Sequence, residues 1–508
     1  MYKNDLLDST EQQKIELINI LLQNGTPPYF QFDKPQVLKQ LGVNTTKLTQ
    51  IVTSIRTDLA AEISSGLFEI GLNRLQVSLH FTPNFNYAEL LHKYLMQSPN
   101  VQMLLYLLTH SSMNKQQINT ELGINASAYF RRIRYLNQLL TEFDIQIKNG
   151  ILVGNELNIR HFYNRLGIIF NQHPLSDDNN AALWQTVSDL EAHLKITFNP
   201  DARFIIYWNS YVIQYRRRFM RPQNLVGLED LIDFITPMAA FETFLSNYHF
   251  NYSTIVDINE AVLEFTILWV SDIFTSKNDN FTHFYAGPYL QGSPLYQRYR
   301  FCMNQIKHLF PRLAPSSQQE VTQKIWLIVI KLTFTKGFLY TMTAFEISHY
   351  HYTIGPDAPV WPQEQVTNFI NEFTQQTSLT LDEADYQFLK INLLSIIANT
   401  QNALMGALKI GVRTNMHLPL ARRFYSHILQ ELTYFSNISI EAFNDNKNYD
   451  YVITNIYDSL PINEPHYYIL GLGVSSDYAN IQVALLQIYQ NKYSQSKPTS
   501  PERKRSDG

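Results

Sequence analysis

Three arginines, Arg131, Arg132 and Arg134, fall in a stretch from Leu122 to Thr141 that contains no acid. A guanidinium group presents paired donors in one plane, the geometry that matches guanine edges and phosphate oxygens. On a helix running from about Ser127 to Phe143 these side chains would project from the N-terminal half, where a recognition helix meets base edges in the major groove. Ser127 and Tyr129 add hydroxyls suited to backbone phosphates, and Lys148, in a following hairpin, could reach a flanking phosphate. An earlier segment repeats the theme more weakly. Thr45, Thr46, Lys47, Thr49, Gln50, Thr53 and Arg56 offer polar contacts with only two cations, so this copy is expected to position rather than specify. The plain alternative for the arginine-bearing segment is a solvated face on a structural or protein-binding winged helix, and for the earlier one a non-contacting or dimer-oriented winged helix.

The run Tyr215 to Pro222, YRRRFMRP, gathers four arginines. On a helix such a charge run is expected to be a solvated face, with a clamp for nucleic acid or for a phosphorylated group as the alternative. The chain has 14 histidines. His349 and His351 are spaced i, i+2, as on a strand or loop, and no HExxH motif accompanies them, so no metal site is expected. GxSxG, Walker and GxGxxG motifs are absent, so no catalytic residues and no cofactor are expected. The single cysteine, Cys302, excludes an internal disulfide and a cysteine zinc site and suits a reducing compartment. With no apolar leader and no long apolar run, a cytoplasmic protein without membrane contact is expected.

The elements that must carry these residues can be placed by periodicity. A chain of 508 residues has the length of roughly three to five domains. Its hydrophobic share of 45% and charged share of 17% predict folded structure for most of it. The net charge is −4, yet residues 1–165 hold 15 Lys and Arg against 13 acids, so the excess of acid lies beyond them. Ile15, Leu17, Ile18, Leu21 and Leu22 predict a helix that breaks at Asn24-Gly25. Lys34 to Leu41, Gly42, and a helix from about Thr45 to Leu59 give the helix, short glycine turn, helix pattern, and β-like runs around Ser65-Gly66 suggest a wing. About 80 residues later the order recurs. Val101 to Leu108 and Lys115 to Leu122 are helical, Gly123 turns, and a third helix places Phe130, Ile133, Leu136 and Leu140 on one face. Asn149-Gly150, between Ile145 to Lys148 and Ile151 to Val153, is a strong hairpin signal.

From Arg160 to Gln401 long helical patterns dominate, broken at Ser276 to Pro294 and Gly355 to Pro362. Strand and helix then alternate. Leu408 to Val412, Ile438 to Phe443, Tyr449 to Thr454 and Tyr467 to Gly471 read as strands, with helices over Leu420 to Phe435 and Asp477 to Tyr489, which predicts a small α/β domain with a largely parallel sheet. Its loop Arg413 to Pro419 holds no cysteine, and His417 is expected to be structural. The tail beyond Ser494 has no apolar period.

The stretch Ser127 to Arg160, with Phe143-Asp144-Ile145, Asn149-Gly150, Gly154 and Ile159-Arg160 in order, resembles the Mga helix-turn-helix domain of Gram-positive virulence regulators of the Mga and AtxA type. The resemblance implies a mainly α, multidomain chain: winged helix-turn-helix domains at 1–85 and 86–165, helical phosphotransferase-regulated domains (PRDs) at 166–285 and 286–403, an enzyme IIB-like α/β domain at 404–494 and a disordered tail at 495–508. It implies a dimeric transcription regulator that binds double-stranded promoter DNA, with RNA polymerase and the phosphocarrier protein of the sugar phosphotransferase system as partners. His193, His249, His308, His349 and His351 are then the candidate phosphohistidines, with Arg216 to Arg218 as a counter-charge. The helices around Asn209 to Arg216 and Val329 to Lys336 lack the histidine of a typical PRD, and the missing loop cysteine implies an assembly role for the α/β domain. A phosphotransferase component and a protein-binding scaffold are the rival readings.

Overall fold

Ile15, Ile18 and Leu21, one helical turn apart, are buried along α1 (Ser9–Asn24). The chain then forms β1 (Tyr29–Asp33), α2 (Lys34–Leu41), α3 (Thr45–Asp58), the short α4 (Ala60–Ser64), β2 (Phe68–Leu72) and β3 (Gln76–Phe81). These strands make an antiparallel sheet in the order β1-β3-β2. Both wing strands therefore follow Gly66 instead of flanking Ser65-Gly66. The hairpin is turned at Asn73, whose Oδ1 accepts from the backbone N–H groups of Leu75 and Gln76 at 2.8 and 2.7 Å, an Asx turn. β1, five residues long, is not marked by the apolar pattern of the sequence. Buried Lys14 of α1 reaches Asp58 at the end of α3 at 2.6 Å. Tyr94 of α5 (Tyr87–Gln97) donates to the same carboxylate at 2.7 Å, so one acid ties three helices.

The second copy is in strict register with the first. Eighty-one residues separate Lys34, the start of α2, from Lys115, the start of α7 (Lys115–Leu122). The same interval separates Gly42 from Gly123 and Asn44 from Asn125. Both glycines close the shorter helix in the left-handed region, at φ 64° and 67°. Both asparagines cap the longer helix, accepting from Lys47 N–H in α3 and from Ala128 N–H in α8 (Ala126–Leu140). α6 (Pro99–Thr109) precedes this pair, and a wing of β4 (Ile145–Lys148) and β5 (Ile151–Gly154) follows it. Asn149 and Gly150 turn the wing at φ 52° and 75°, the two positive values a tight hairpin requires. A side chain at Gly150 would collide with the carbonyl of Met113, whose N–H donates to the Gly150 carbonyl at 2.8 Å.

The structure describes residues 1–24, 29–170, 180–194, 197–225, 227–248, 257–271, 273, 292–310, 313, 315–340, 360–377, 379–404, 408–432, 438–456, 464–469 and 471–495. They fall into two units. The first comprises Met1–Asn304, Thr322–Asp357 and Thr367–Asn392; the second comprises Gln305–Val321, Ala358–Val366 and Leu393–Gly508. The tail 496–508 lies outside the described residues.

Helices continue the first unit as α9 (Glu156–Phe170), α10 (Asn180–Leu194), α11 (Pro200–Phe219), α12 (Leu228–Ile235), α13 (Ala239–Tyr248) and α14 (Ile258–Val270). Buried Glu156 accepts from Arg160 Nε at 3.0 Å and from Arg216 Nη2 at 2.7 Å. Arg160 grips Glu260 of α14 with both terminal nitrogens, at 2.9 and 2.8 Å. Arg216 is thus an interior ion-pair partner and no part of a solvated run. Apolar residues fill the turns around it in α11, and the arginine is admitted to the core because Glu156 neutralises it. The Trp208 indole donates to the Tyr163 carbonyl at 2.7 Å, across α9 at Gly167, where a Cβ would collide with that ring.

α15 (Pro294–Leu309), α16 (Pro315–Phe334), α17 (Val360–Thr377) and α18 (Glu383–Leu404) come later in the chain. The residues after α16 return to the second winged helix. Lys336 N–H donates to Asn158, Phe338 N–H donates to Glu142, and His161 Nε2 lies 3.2 Å from the Gly337 carbonyl. Gly337, at φ 78°, lies so close to Phe143 that a Cβ would stand 2.6 Å from the ring.

The second unit contains β6 (Leu408–Arg413), α19 (Leu418–Glu431), β7 (Ile438–Ala442), β8 (Tyr451–Thr454), β9 (His466–Tyr468) and α20 (Ser475–Gln495). All four strands are parallel, in the order β7-β6-β8-β9. Ile410, Val412 and Ile453 of the strands meet Phe424 and Ile428 of α19 and Ile481 and Leu485 of α20 in one core. Short apolar strands alternating with helices impose this arrangement, because a parallel sheet must be covered by its crossovers.

Two measurements test the interior charges. Glu156→Ala strands Arg216 without its carboxylate and should cost about 3–5 kcal/mol of stability, the usual effect of breaking a buried pair; a urea midpoint close to wild type would contradict this. Burial pushes His161 down to about 3, with Arg165 adding to the effect. Its folded pKa is depressed below the unfolded value, so the neutral ring is stable above about pH 6.5 and stability drains away as the pH falls toward 3. Between pH 7.5 and pH 5 the wild type should lose about 2 kcal/mol more than His161→Gln, measured as the difference in denaturation midpoints.

Candidate nucleic-acid interface

The cap at Asn125 starts α8, and its apolar residues decide which side turns inward. Tyr129, Leu136 and Leu140 are buried, while Ser127, Phe130, Arg131, Arg134 and Gln138 are exposed at three- and four-residue spacing. Tyr129 and Phe130 thereby exchange their expected places. The Tyr129 hydroxyl lies inside, donating to the Met113 carbonyl at 3.3 Å, and burial raises its pKa. It offers nothing to a phosphate. Phe130, expected in the core with Ile133, Leu136 and Leu140, stands 60% exposed on the polar face. The 100° step between neighbouring helix positions explains the exchange, since Tyr129 lies closer to the Leu136 stripe.

Arg132 departs from its expected role too. Its two terminal nitrogens reach Asp8 at 3.1 and 2.7 Å, and Nη1 also donates to Asn100 at 3.1 Å. Its side chain is only 13% exposed. That hydrogen bond, foremost, holds the Asp8 carboxyl below its ordinary pKa. Arg132 is therefore a brace between α8 and the segment before α1. Arg131 and Arg134 are exposed and form no ion pair among the described residues. Lys148 is exposed at the end of β4, beside the hairpin turn.

Asn137 fixes the wing relative to α8. It donates to the Ile147 carbonyl at 3.0 Å and accepts from the Ile147 N–H at 2.6 Å. The equivalent position in the first copy is Arg56, whose Nε and Nη2 donate to the Ile70 carbonyl of β2 at 3.0 and 2.7 Å. Arg56 is thus committed to its own wing. Thr45, Thr46, Thr49, Gln50 and Thr53 are exposed along α3, and Lys47 is half-buried. Arg74 and Leu75, which the apolar pattern does not single out, stand at the tip of the first wing, where Leu75 is 76% exposed. The signal in the sequence was the turn former Asn73 directly before them.

The candidate phosphohistidines are scattered. His308 is exposed near the end of α15. His193 lies on α10, its side chain outside the described residues, as are His249, His349 and His351 altogether. His417 precedes α19 without capping it. Cys302 is buried, and burial pushes its thiol pKa upward. Among the described residues no histidine, cysteine and carboxylate cluster could hold a metal ion, and no helix is long and apolar enough to cross a membrane.

Two helices joined at a left-handed glycine, an asparagine-capped recognition helix and a β-hairpin pinned to it define a winged helix-turn-helix, a DNA-binding class. Residues 83–166 match the family model of the Mga helix-turn-helix domain, so the chain carries a DNA-binding domain of the Mga type, found in regulators and not in a family of enzymes. No curated protein matches the chain.

The brace geometry of Arg132 has a direct consequence. Arg132→Ala should lower stability by about 1 kcal/mol, the scale of a partly exposed ion pair, and Asp8→Ala should lower it no further in the double variant. The salt dependence of DNA binding should stay as in wild type. A shallower slope with unchanged stability would return Arg132 to the DNA contacts.

Proposed function

We propose that this chain is a transcription regulator that binds promoter DNA with α8 in the major groove. The observation carrying this reading is the outward face of α8, where Ser127, Arg131 and Arg134 share one side of a helix whose neighbours hold no acid from Leu122 to Thr141. Arg131 and Arg134 suit guanine edges or phosphates, Ser127 a phosphate, and Lys148 the backbone flanking the groove. α3, with its threonines and Gln50, supports a second, weaker contact with the same duplex.

The finer parts of the reading rest on family likeness and on the helical and α/β regions behind the winged helices. A homodimer would present each motif twice, raising affinity without new contacts, and the parallel sheet of the second unit, enzyme IIB-like in this reading, would serve assembly. Phosphorylation by the phosphocarrier protein would add about −1.5 to −2 charges at a histidine. His308 is the candidate with an exposed, described side chain. Arg216 is not an available counter-charge, because Glu156 holds it.

The test is anisotropy with promoter fragments from the host genome across a salt series. Arg131→Ala and Arg134→Ala should each weaken binding by about 1–3 kcal/mol if they read a base, or reduce the salt slope by about 1 if they hold a phosphate. Folded variants that bind as wild type in both respects would remove α8 from the interface.

A further inference from the structure

Phe130 is out of place on the face that carries it. A phenylalanine ring carries a large apolar area, and 60% of this residue is open to solvent. Ser127 lies three residues before it, Arg131 follows directly and Arg134 lies one turn on, all exposed. The ring is also held. It meets the buried Tyr129 ring edge-on, with centroids 5.3 Å apart and planes at 77°. An exposed apolar group beside two cations that form no ion pair among the described residues suits a ligand that is anionic along its edges and apolar at one point.

Duplex DNA has one such point in its major groove, the thymine 5-methyl group, and phenylalanine is among the side chains that contact it. The first copy supports the same reading. Phe130 is the fifth residue of α8, counted from its Asn125 cap, and Thr49 is the fifth of α3, counted from Asn44. The Thr49 hydroxyl donates to the Thr45 carbonyl at 3.0 Å, which leaves its methyl group as the uncommitted part of the side chain. At this shared position both helices thus offer an apolar atom.

We propose that Phe130 reads a thymine through its 5-methyl group, next to the bases or phosphates held by Arg131 and Arg134. This inference rests on the DNA-binding reading above and adds a base identity to it. A protein knob would have to bury Phe130 beside Arg131 and Arg134, and the stretch from Leu122 to Thr141 supplies no acid of its own to neutralise them, which favours the polyanion.

The experiment uses the full chain and a fluorescein-labelled promoter duplex, with each thymine of the bound site replaced singly by deoxyuridine, which removes only the methyl group. Wild type should lose about fourfold in affinity at one thymine per recognition site, the worth of one buried methyl, and be indifferent at the others. Phe130→Ala should bind the parent duplex more weakly and show no further loss with deoxyuridine at that thymine. Phe130→Leu should keep part of the methyl sensitivity, and circular dichroism should report native helix in both variants. Wild-type binding unaffected by every deoxyuridine, or Phe130→Ala retaining the fourfold loss, overturns the assignment while the DNA-binding reading stands. A chain that binds no promoter duplex overturns both. Phe130→Ala that binds all duplexes as wild type but no longer retains RNA polymerase would reassign the ring to a protein contact.

Discussion

The carboxylate of Glu156 is the constraint on which the first unit turns. It is the first residue of α9, directly after the wing, and it meets Arg160 of its own helix and Arg216 near the end of α11. Arg160 in turn holds Glu260 of α14. Two arginines and two glutamates cancel in charge, and their geometry is bidentate where it matters, which is what permits four ions in a dry interior. The helix that begins with this acid is also the last one in the stretch that matches the Mga helix-turn-helix domain, residues 83–166. The Tyr163 hydroxyl donates to the Leu104 carbonyl of α6, and Phe162 meets Phe143 edge-on at 5.1 Å. The helix that the charged cluster ties to α11 and α14 is thus the same one that packs on α6 and Phe143.

The same contact surface explains why the residues after α16 matter. Glu142 accepts from Phe338 N–H, and Gly337 lies against Phe143 in a conformation that disfavours any other residue. Glu142 and Phe143 directly follow α8. A change in the helical region that moved this loop would act on the end of the recognition helix and not on its outward face. Such coupling would alter how α8 is held without altering what it touches.

Much of the architecture was legible in the sequence, and the reasons differ by element. α7, β4 and the turn between the two wing strands were fixed by local rules, namely a glycine past a helix end and Asn-Gly between alternating strands. The repeat was legible as a pattern of about 80 residues, and its register of 81 emerges from the matching caps. The site was harder to see. Arg132 looks like its neighbours in sequence, and only tertiary structure supplies Asp8, 124 residues away, as its partner. Tyr129 and Phe130 are adjacent aromatics, and helical periodicity alone does not say which one the core will take. Arg216 read as one of a solvated run because its partner Glu156 lies 60 residues earlier. Local chemistry is visible in sequence; long-range charge pairing is not.

The two copies keep one scaffold and vary its outward face. Cap, glycine turn and wing tie are preserved, with Asn137 and Arg56 both bonded to a wing carbonyl. The outward faces diverge, from Thr46, Thr49, Gln50 and Thr53 to Ser127, Phe130, Arg131 and Arg134 at matching positions. Short neutral side chains let a helix lie close to a phosphate backbone with little base discrimination, whereas guanidinium and aromatic groups reach further and discriminate more. Arg56 ends up bound to its own strand, which removes from the first copy one of its two cations. If α8 reads bases as proposed, selectivity would lie with the second copy, the one whose α8 is followed by the residues that Phe338 and Gly337 contact.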